Sequence, residues 1–137
     1  MFSEPASPAG PRVLIIDDEP AICSALQHVL RRARFEAVIA AGAQEAEALL
    51  SETVAAMVLD LRMAHMRGDV FFYAAAARFP LLRRRTLFMT GDISPDAERL
   101  IAQTGCSCIF KPFPNAVLVD ALRELLAERS GPPAVVW

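Results

Sequence analysis

The sequence predicts an open, doubly wound α/β fold in which helices cover both faces of a five-stranded parallel sheet. Five short apolar segments of strand length alternate strictly with five segments of helical pattern, the order typical of parallel sheets. The first strand segment, 12–17, is apolar without interruption from Val13 to Ile16, as a strand buried on both faces requires. Right-handed crossovers then place helices on both sides of the sheet and give a three-layer α/β/α sandwich.

Length and composition limit the molecule to one domain with one site. The 137 residues are enough to bury a core without disulfides. We expect the domain to span 12–129, between a flexible leader (1–11) and a flexible tail (130–137), both rich in proline. The chain has neither a signal-peptide core nor the roughly 20 consecutive apolar residues of a membrane helix. It is therefore expected to be cytoplasmic, with no membrane contact.

The net charge and the spacing of the histidines and cysteines argue against a nucleic-acid interface and against a metal site built from these two residue types. The formal net charge of −2 leaves no electrostatic footprint for direct nucleic-acid binding, and the basic run 83–85 is interpreted as a solvated strand-entry loop. His28 and His65 have no partner at metal-ligand spacing and are expected on the surface. The cysteines also lack that spacing and are expected to be reduced core thiols: Cys23, Cys106 and Cys108.

The first half of the chain supplies three strands and two helices. The first helix begins at Pro20, a residue favoured in a first helical turn, and its apolar positions recur on one face. The segments that follow are a strand over 36–40, a helix over about 43–51 and a strand over 55–59. The inward residues of the second helix are expected to be Ala46, Leu49 and Leu50. The third strand delivers Asp60 to its carboxyl end.

The second half continues the alternation. Its predicted segments are helices over about 69–78, 94–104 and about 115–128 and strands over 86–90 and 106–110. Ser94 is the expected N-cap of the fourth helix, Pro95 its first residue and Gly105 its stop. The third helix stops before Pro80, as the restriction on residues before proline predicts. This helix is unusually apolar, which fits either a partner surface or deep packing against the sheet, and packing is the favoured interpretation.

Residues able to do chemistry stand where the predicted strands end, which is where open parallel sheets bind ligands. They are Asp17, Asp18 and Glu19 after the first strand, Asp60 after the third, Thr90, Gly91 and Asp92 after the fourth, and Lys111 after the fifth. Clustered acids without imidazole or thiolate suit a hard cation such as Mg²⁺. Lys111 is the only lysine, so a compact ammonium stands where arginine is otherwise used.

These groups predict phosphoryl transfer to a carboxylate. A carboxylate attacks phosphorus to form an acyl phosphate, and phosphoryl transfer needs mainly positioning and charge neutralisation. Asp60 is the expected nucleophile, Lys111 and Mg²⁺ would neutralise charge, and Thr90 would hydrogen-bond a phosphoryl oxygen. The glycine motifs of phosphate loops and dinucleotide folds are absent from the sequence, so the phosphoryl donor is expected to come from a partner.

Four motifs in this order resemble the receiver domains of bacterial two-component response regulators. They are the DDE of Asp17, Asp18 and Glu19, the D-x-x-M-x-x-M-x-G of Asp60, Met63, Met66 and Gly68, the TG of Thr90 and Gly91, and the KPF of Lys111, Pro112 and Phe113. The resemblance covers 12 to about 129. It implies a flavodoxin-like fold of strand order 2-1-3-4-5 and a cis Lys111–Pro112 peptide.

The same resemblance implies roles and partners. Asp60 would take a phosphoryl group from a histidine kinase or phosphotransfer protein. Asp17, Asp18, Asp60 and the backbone carbonyl of Arg62 would hold Mg²⁺. A homodimer through the face of the fourth and fifth helices is a further expectation that rests on the resemblance alone.

Two residues depart from the family's pattern. Ala64 stands where members often have proline, which loosens the loop after Asp60 without removing a ligand. Cys108 stands three residues before Lys111, where an aromatic side chain commonly swings inward on phosphorylation. That switch cannot operate here in its usual form, so signalling relies on backbone shifts or the domain only passes phosphate on.

Arg62 and Asp92 carry a hypothesis of their own. Each lies two residues beyond a site residue, Asp60 and Thr90 respectively, so their side chains should meet above the site. We expect an ion pair there that shields the acyl phosphate from water.

We interpret the chain as a phosphoacceptor receiver domain without an attached output domain, a signalling domain and not an enzyme. It would be a stand-alone regulator or part of a hybrid kinase. Two other classes stay open: a phosphate-independent interaction module and a phosphatase with an aspartyl nucleophile. Arg62 argues against the phosphatase, because it stands where such enzymes have a second acid.

Overall fold

Five parallel strands form the central sheet of the computed structural model, which describes residues 10–127 and the backbone of Val135–Val136. The strands are β1 (Arg12–Ile16), β2 (Glu36–Ala40), β3 (Val54–Asp60), β4 (Thr86–Thr90) and β5 (Ser107–Phe110). They lie in the order β2-β1-β3-β4-β5. The predicted fold class and strand order are confirmed.

Helices cover both faces of this sheet and enclose two separate cores. They are α1 (Pro20–Arg32), α2 (Ala43–Leu49), α3 (Gly68–Arg78), α4 (Pro95–Thr104) and α5 (Asn115–Leu126). Buried residues of α2, α3 and α4 share one core with one face of the sheet, and those of α1 and α5 share the other. Both faces of the inner strands are therefore buried, which explains their uninterrupted apolar sequences.

Local sequence signals set several helix ends as predicted. Pro20 opens α1, and the Ser94 hydroxyl accepts a hydrogen bond from the Ala97 N–H at 3.2 Å. Gly105 ends α4 in the left-handed conformation. The three cysteines are buried and free, and both histidines are exposed, as expected. In the described part of the chain, no helix is long and apolar enough to cross a membrane.

The structure differs from the sequence prediction in three interior details. A 3₁₀ helix over Pro80–Arg84 replaces the predicted strand-entry loop. A short antiparallel ribbon pairs Arg62–Met63 with Met66–Arg67 in the loop after β3. Leu49, predicted to point inward, is 38% exposed, because α2 ends at this residue and the extended Leu50 enters the core instead.

Two described segments lie within the predicted leader and tail. The Pro11 carbonyl accepts a hydrogen bond from the Glu36 N–H at 2.9 Å, so the order of the domain begins inside the predicted leader. Val135–Val136 pairs in parallel with Cys108–Ile109 and adds a sixth, two-residue strand beside β5. The remaining leader, 1–9, and the tail residues 130–134 and Trp137 lie outside the described residues.

The left-handed conformation of Gly105 predicts a defined cost for a side chain at this position. Its φ is +73°, and no neighbouring atom lies within 4 Å of a Cβ placed there, so the penalty arises from the backbone alone. Gly105→Ala is expected to lower the free energy of unfolding by about 1 kcal/mol in urea titrations. Gly42→Ala, with extended backbone and equally open space, is the control. Equal losses in the two variants would contradict the assignment.

Candidate functional site

The register of the sheet brings the predicted site residues to one edge. Ile16 lies opposite Leu59 on β3, so Asp17 and Asp60 follow at neighbouring positions. On the other side of β3, Asp60 lies opposite Met89, the residue before Thr90. The last pair of β4 and β5 joins Thr90 to Phe110, which Lys111 follows. Residues far apart in the chain thus converge on the strand ends around Asp60, from the strands on either side of β3 and from β5 one strand further along.

Lys111 bridges two buried carboxylates at the centre of this edge. Its Nζ donates to Asp17 Oδ2 at 2.9 Å and to Asp60 Oδ2 at 3.1 Å. Asp17 is fully buried and Asp60 is 4% exposed. Burial by itself would lower the pKa of Lys111, but the bond to Asp17 and the charge of Asp60 outweigh it and raise that pKa. The ammonium is therefore the stable form of Lys111.

Asp60 is held in place from two sides. Its Oδ1 accepts a hydrogen bond from the backbone N–H of Arg62 at 3.1 Å, while Lys111 holds Oδ2. Burial raises the pKa of Asp60, and the charge and hydrogen bond of Lys111 only partly oppose this. The Asp60 carboxylate is thus fixed in orientation, but Lys111 offsets only part of the cost of burying its negative charge. A bound cation could offset the rest.

Three carboxylates form a cluster that fits a divalent metal ion. One oxygen from each of Asp17, Asp18 and Asp60 lies within 4.8 Å of the others. The Glu19 N–H donates to Asp17 Oδ1 at 2.9 Å, and the Ala64 N–H donates to Asp18 Oδ2 at 2.7 Å. A single ammonium faces these three negative charges. The excess of carboxylate oxygens is the donor set that Mg²⁺ prefers.

Thr90 is fully buried, and a backbone hydrogen bond orients its hydroxyl. Oγ1 accepts from the Asp92 N–H at 3.0 Å, so its own hydrogen remains available to an acceptor. The Thr90 carbonyl accepts from the Lys111 N–H at 2.9 Å, which ties the two strand ends together. The peptide between Lys111 and Pro112 is cis, as the family resemblance implied.

The predicted ion pair between Arg62 and Asp92 is present, with a third member that sequence reasoning missed. Arg62 Nε donates to Asp92 Oδ2 at 2.9 Å, and its Nη2 donates to Asp96 Oδ2, also at 2.9 Å. Arg99 contacts the other oxygen of Asp96 at 3.1 Å. The bond to Asp96 is the main cause of the raised Arg62 pKa. This Arg62 cluster connects the loop after β3 to the loop after β4 and the start of α4.

Gly68 closes the loop after Asp60 because no larger residue fits there. A Cβ on Gly68 would lie 2.2 Å from the Asp60 carbonyl oxygen, which is far inside van der Waals contact. The Gly68 N–H donates to the Leu61 carbonyl at 2.9 Å, across the base of the ribbon. The glycine therefore allows the loop to fold tightly under the site.

Cys108 lies in the core and not at the site. It is fully buried opposite Phe88 on β4, and burial raises its pKa to about 12. Its position three residues before Lys111 thus holds a small, uncharged thiol. An aromatic side chain is absent from this position, as the sequence indicated.

The role of the Arg62 carbonyl as a metal ligand stays a prediction. Beside Asp18, an open cleft of about 240 Å³ is lined by the loop after β2 and the ribbon, with Gln44 and His65 among its polar groups. The hydrogen bond from the Ala64 backbone N–H could not be predicted from the sequence, because it does not depend on the side chain. Asp96 was missed because the prediction considered residues at strand ends, and Asp96 belongs to the first turn of α4.

Comparisons with known proteins agree on one family. The family model described as "Response regulator receiver domain" matches residues 13–123. The C4-dicarboxylate transport transcriptional regulatory protein DctD of Rhizobium meliloti is 35% identical over 88% of this chain and 26% of its own length. The sensory/regulatory protein RpfC of Xanthomonas campestris is 29% identical over 83% of this chain and 16% of its own. The chain thus spans about a quarter or less of these relatives.

Solved structures show the same similarity over nearly whole chains. A CheY-like receiver domain protein from Methanospirillum hungatei has a TM-score of 0.78 and 27% identity, covering 85% of this chain and 94% of its own. The chemotaxis protein CheY4 of Vibrio cholerae has a TM-score of 0.75 and 26% identity, covering 84% and 98%.

The raised pKa of Asp60 predicts that removing its charge stabilises the metal-free protein. A carboxyl whose pKa is higher in the folded than in the unfolded state destabilises the fold when it is ionised. This destabilisation is complete at pH values above the folded pKa and absent at pH values below the unfolded pKa of about 3.9. Asp60→Asn is therefore expected to raise the urea midpoint at pH 7 in EDTA, with a gain that shrinks toward pH 4. Asp120→Asn, exposed on α5, is the matched control. A loss of stability at pH 7 would contradict the prediction.

Proposed function

Because the chain belongs to the response regulator receiver domain family, we propose that it accepts a phosphoryl group on Asp60 from the phosphohistidine of a histidine kinase or phosphotransfer protein. Receiver domains of this family are signalling domains of two-component systems and interact with histidine kinases. The observation that carries the proposal is the buried Asp60 carboxylate, fixed by the Arg62 N–H and bridged to Asp17 by Lys111.

In the proposed step, an oxygen of Asp60 attacks phosphorus in line with the scissile P–N bond. As the new O–P bond forms, the electron pair of the P–N bond passes to the imidazole nitrogen, which takes up a proton from water. The Lys111 ammonium contacts an Asp60 oxygen and would also stabilise negative charge on the phosphoryl oxygens. The Thr90 hydroxyl is free to donate a hydrogen bond to one of the phosphoryl oxygens. The product is an aspartyl phosphate.

Asp17, Asp18 and Asp60, with the backbone carbonyl of Arg62, would hold Mg²⁺ in this site. When bound, the ion supplies neutralisation of the negative charge shared by carboxylates and phosphoryl oxygens. The support for this proposal is the cluster itself, in which three carboxylates face a single ammonium. Asp18 is the member that keeps partial exposure, beside the open cleft.

Two expectations stay predictions: that the protein is cytoplasmic, and that it makes no direct contact with nucleic acid. Since the chain matches about a quarter or less of the length of its curated relatives, the activities of those whole proteins are not transferred to it.

The proposed self-catalysed reactions end with hydrolysis of the aspartyl phosphate by water.

Incubation with acetyl phosphate and Mg²⁺ tests the phosphoacceptor directly. The intact protein is expected to gain the mass of one phosphoryl group, and EDTA is expected to abolish the gain. Asp60→Asn should gain nothing, whereas Asp120→Asn, whose carboxyl is exposed on α5, should behave as the wild type.

Other outcomes would assign the chain to a different class. Repeated turnover of a phosphomonoester by the wild type would favour the aspartyl phosphatase. No mass gain and no turnover, in protein shown to be folded by circular dichroism, would leave the phosphate-independent interaction module.

The Arg62 cluster gives the aspartyl phosphate a proposed shield against water. Arg62 donates its own backbone N–H to Asp60 while its guanidinium spans Asp92 and Asp96, so its side chain crosses from one strand-end loop to the next. Asp92 is itself fixed, because its Oδ1 accepts from the Ser94 N–H at 2.9 Å. That bond is the first cause of its lowered pKa, with Arg62 contributing. An exposed ion pair adds at most about 1 kcal/mol of stability. We therefore propose that the pair limits the access of water to the aspartyl phosphate and contributes little to folding.

Removal of this side chain is expected to shorten the lifetime of the phosphorylated protein. Arg62→Ala should raise the first-order rate of dephosphorylation several-fold, measured by loss of the phosphoryl mass after acetyl phosphate is removed. Arg99→Ala removes the other arginine bound to Asp96 without opening the site, and should leave the rate unchanged. An unchanged half-life in Arg62→Ala would refute the shield.

A further inference from the structure

The ribbon after β3 presents two chemically different faces. Its register places Arg62 opposite Arg67 and Met63 opposite Met66. Because successive side chains of a strand point to opposite faces, the two arginines and the two methionines project in opposite directions. Ion pairs with neighbouring aspartates hold both arginines on their side of the ribbon. The two methionines are therefore adjacent to each other on the other side.

The methionine face lines the cleft beside Asp18. Met63 and Met66 are half-buried, so they pack partly against the core and also form part of the cleft wall. His65, in the turn between them, is exposed and lines the same cleft. Residues 41–44 of the loop after β2 form the rest of the wall. Two thioethers and one imidazole thus border a single open space of about 240 Å³.

Backbone hydrogen bonds fix this turn at its tip and at its base. The Ala64 N–H donates to Asp18 Oδ2 at 2.7 Å, and the Gly68 N–H donates to the Leu61 carbonyl at 2.9 Å. Residues directly opposite each other in an antiparallel pair have Cβ atoms roughly 4.5–5.5 Å apart. Two methionine side chains at that separation are long enough for both sulfur atoms to contact one ion.

The donor atoms of these side chains select a soft cation. Thioether sulfur binds Cu(I), and imidazole also suits copper, whereas Mg²⁺ takes oxygen ligands. Packing against the core accounts for an apolar side chain at Met63 and Met66, but it does not account for His65, which is exposed. The family motif D-x-x-M-x-x-M-x-G leaves the position of His65 open, so the imidazole between the two methionines belongs to this chain's own sequence.

We propose that Met63, His65 and Met66 bind one soft monovalent cation, Cu(I) or its analogue Ag(I), in the cleft beside Asp18. The negative charge of Asp18 on the cleft wall favours a cation there. This soft-cation site differs from the carboxylate cluster in its donor atoms and in the class of metal it selects. It does not depend on the proposed phosphorylation of Asp60.

Titration of the full chain with Ag(I) in chloride-free buffer tests the soft-cation site. The readout is NMR of protein labelled with ¹³C at the methionine methyl groups. The methyl resonances of Met63 and Met66 should shift together and stop shifting at one equivalent of Ag(I). Met57 and Met89 are fully buried in the core and serve as internal references whose resonances should stay in place.

Substitutions separate the donor atoms from packing. Met63→Leu and Met66→Leu keep an apolar side chain of similar volume and should each weaken Ag(I) binding by about tenfold or more. His65→Ala should also weaken binding, and because His65 is exposed this variant does not rely on repacking of the core. His28→Ala removes the other exposed histidine, on α1, and should leave the affinity unchanged.

The buried thiols supply the competing explanation for silver binding. Sulfur of Cys23, Cys106 and Cys108 would also bind Ag(I) if the ion reached it. Unchanged affinity in the double variant Met63→Leu, Met66→Leu would assign the silver to these thiols and overturn the inference. Equal effects of His65→Ala and His28→Ala, or a titration that leaves both ribbon methyl resonances in place, would overturn it as well.

Discussion

The bridge from Lys111 to Asp17 and Asp60 is the interaction on which the site depends. Without a cation, two buried carboxylates at adjacent strand ends would repel each other in a medium that screens charge poorly. The ammonium satisfies both at 2.9 and 3.1 Å, yet one positive charge remains insufficient for three acids. The result is a site that its own residues hold in order and that keeps an excess of negative charge.

The parallel sheet provides this arrangement with little help from the loops. Because strand ends of a parallel sheet share one edge, residues from β1, β3, β4 and β5 become neighbours through register alone. This is why the shared position of Asp17, Asp60, Thr90 and Lys111 at one edge could be predicted from short motifs, whereas the strand order was implied by the family resemblance. Helix ends were also predictable where one residue decides them, as Ser94 and Gly105 do.

What the sequence could not reveal depends on tertiary contacts between segments that carry no periodic signal. Asp96 joins Arg62 across 34 positions, and the Ala64 N–H reaches Asp18 across 46. Leu49 follows the apolar pattern of α2 but is exposed because the helix ends at this residue, two residues earlier than the pattern predicted. The apolar sequence of α3 predicted deep packing but gave no indication of which side is buried, and the structure leaves Val70 and Tyr73 of this helix exposed.

Complete burial of Cys23, Cys106 and Cys108 has a practical consequence for spectroscopy. Burial raises the pKa of each thiol, to about 11 for Cys106 and about 12 for Cys108, so the reactive thiolate is scarce at neutral pH in all three. A maleimide fluorophore or spin label would therefore attach to a single engineered surface cysteine without prior removal of the native ones. Ile93, 75% exposed beside Asp92, offers such an attachment point at the rim of the site.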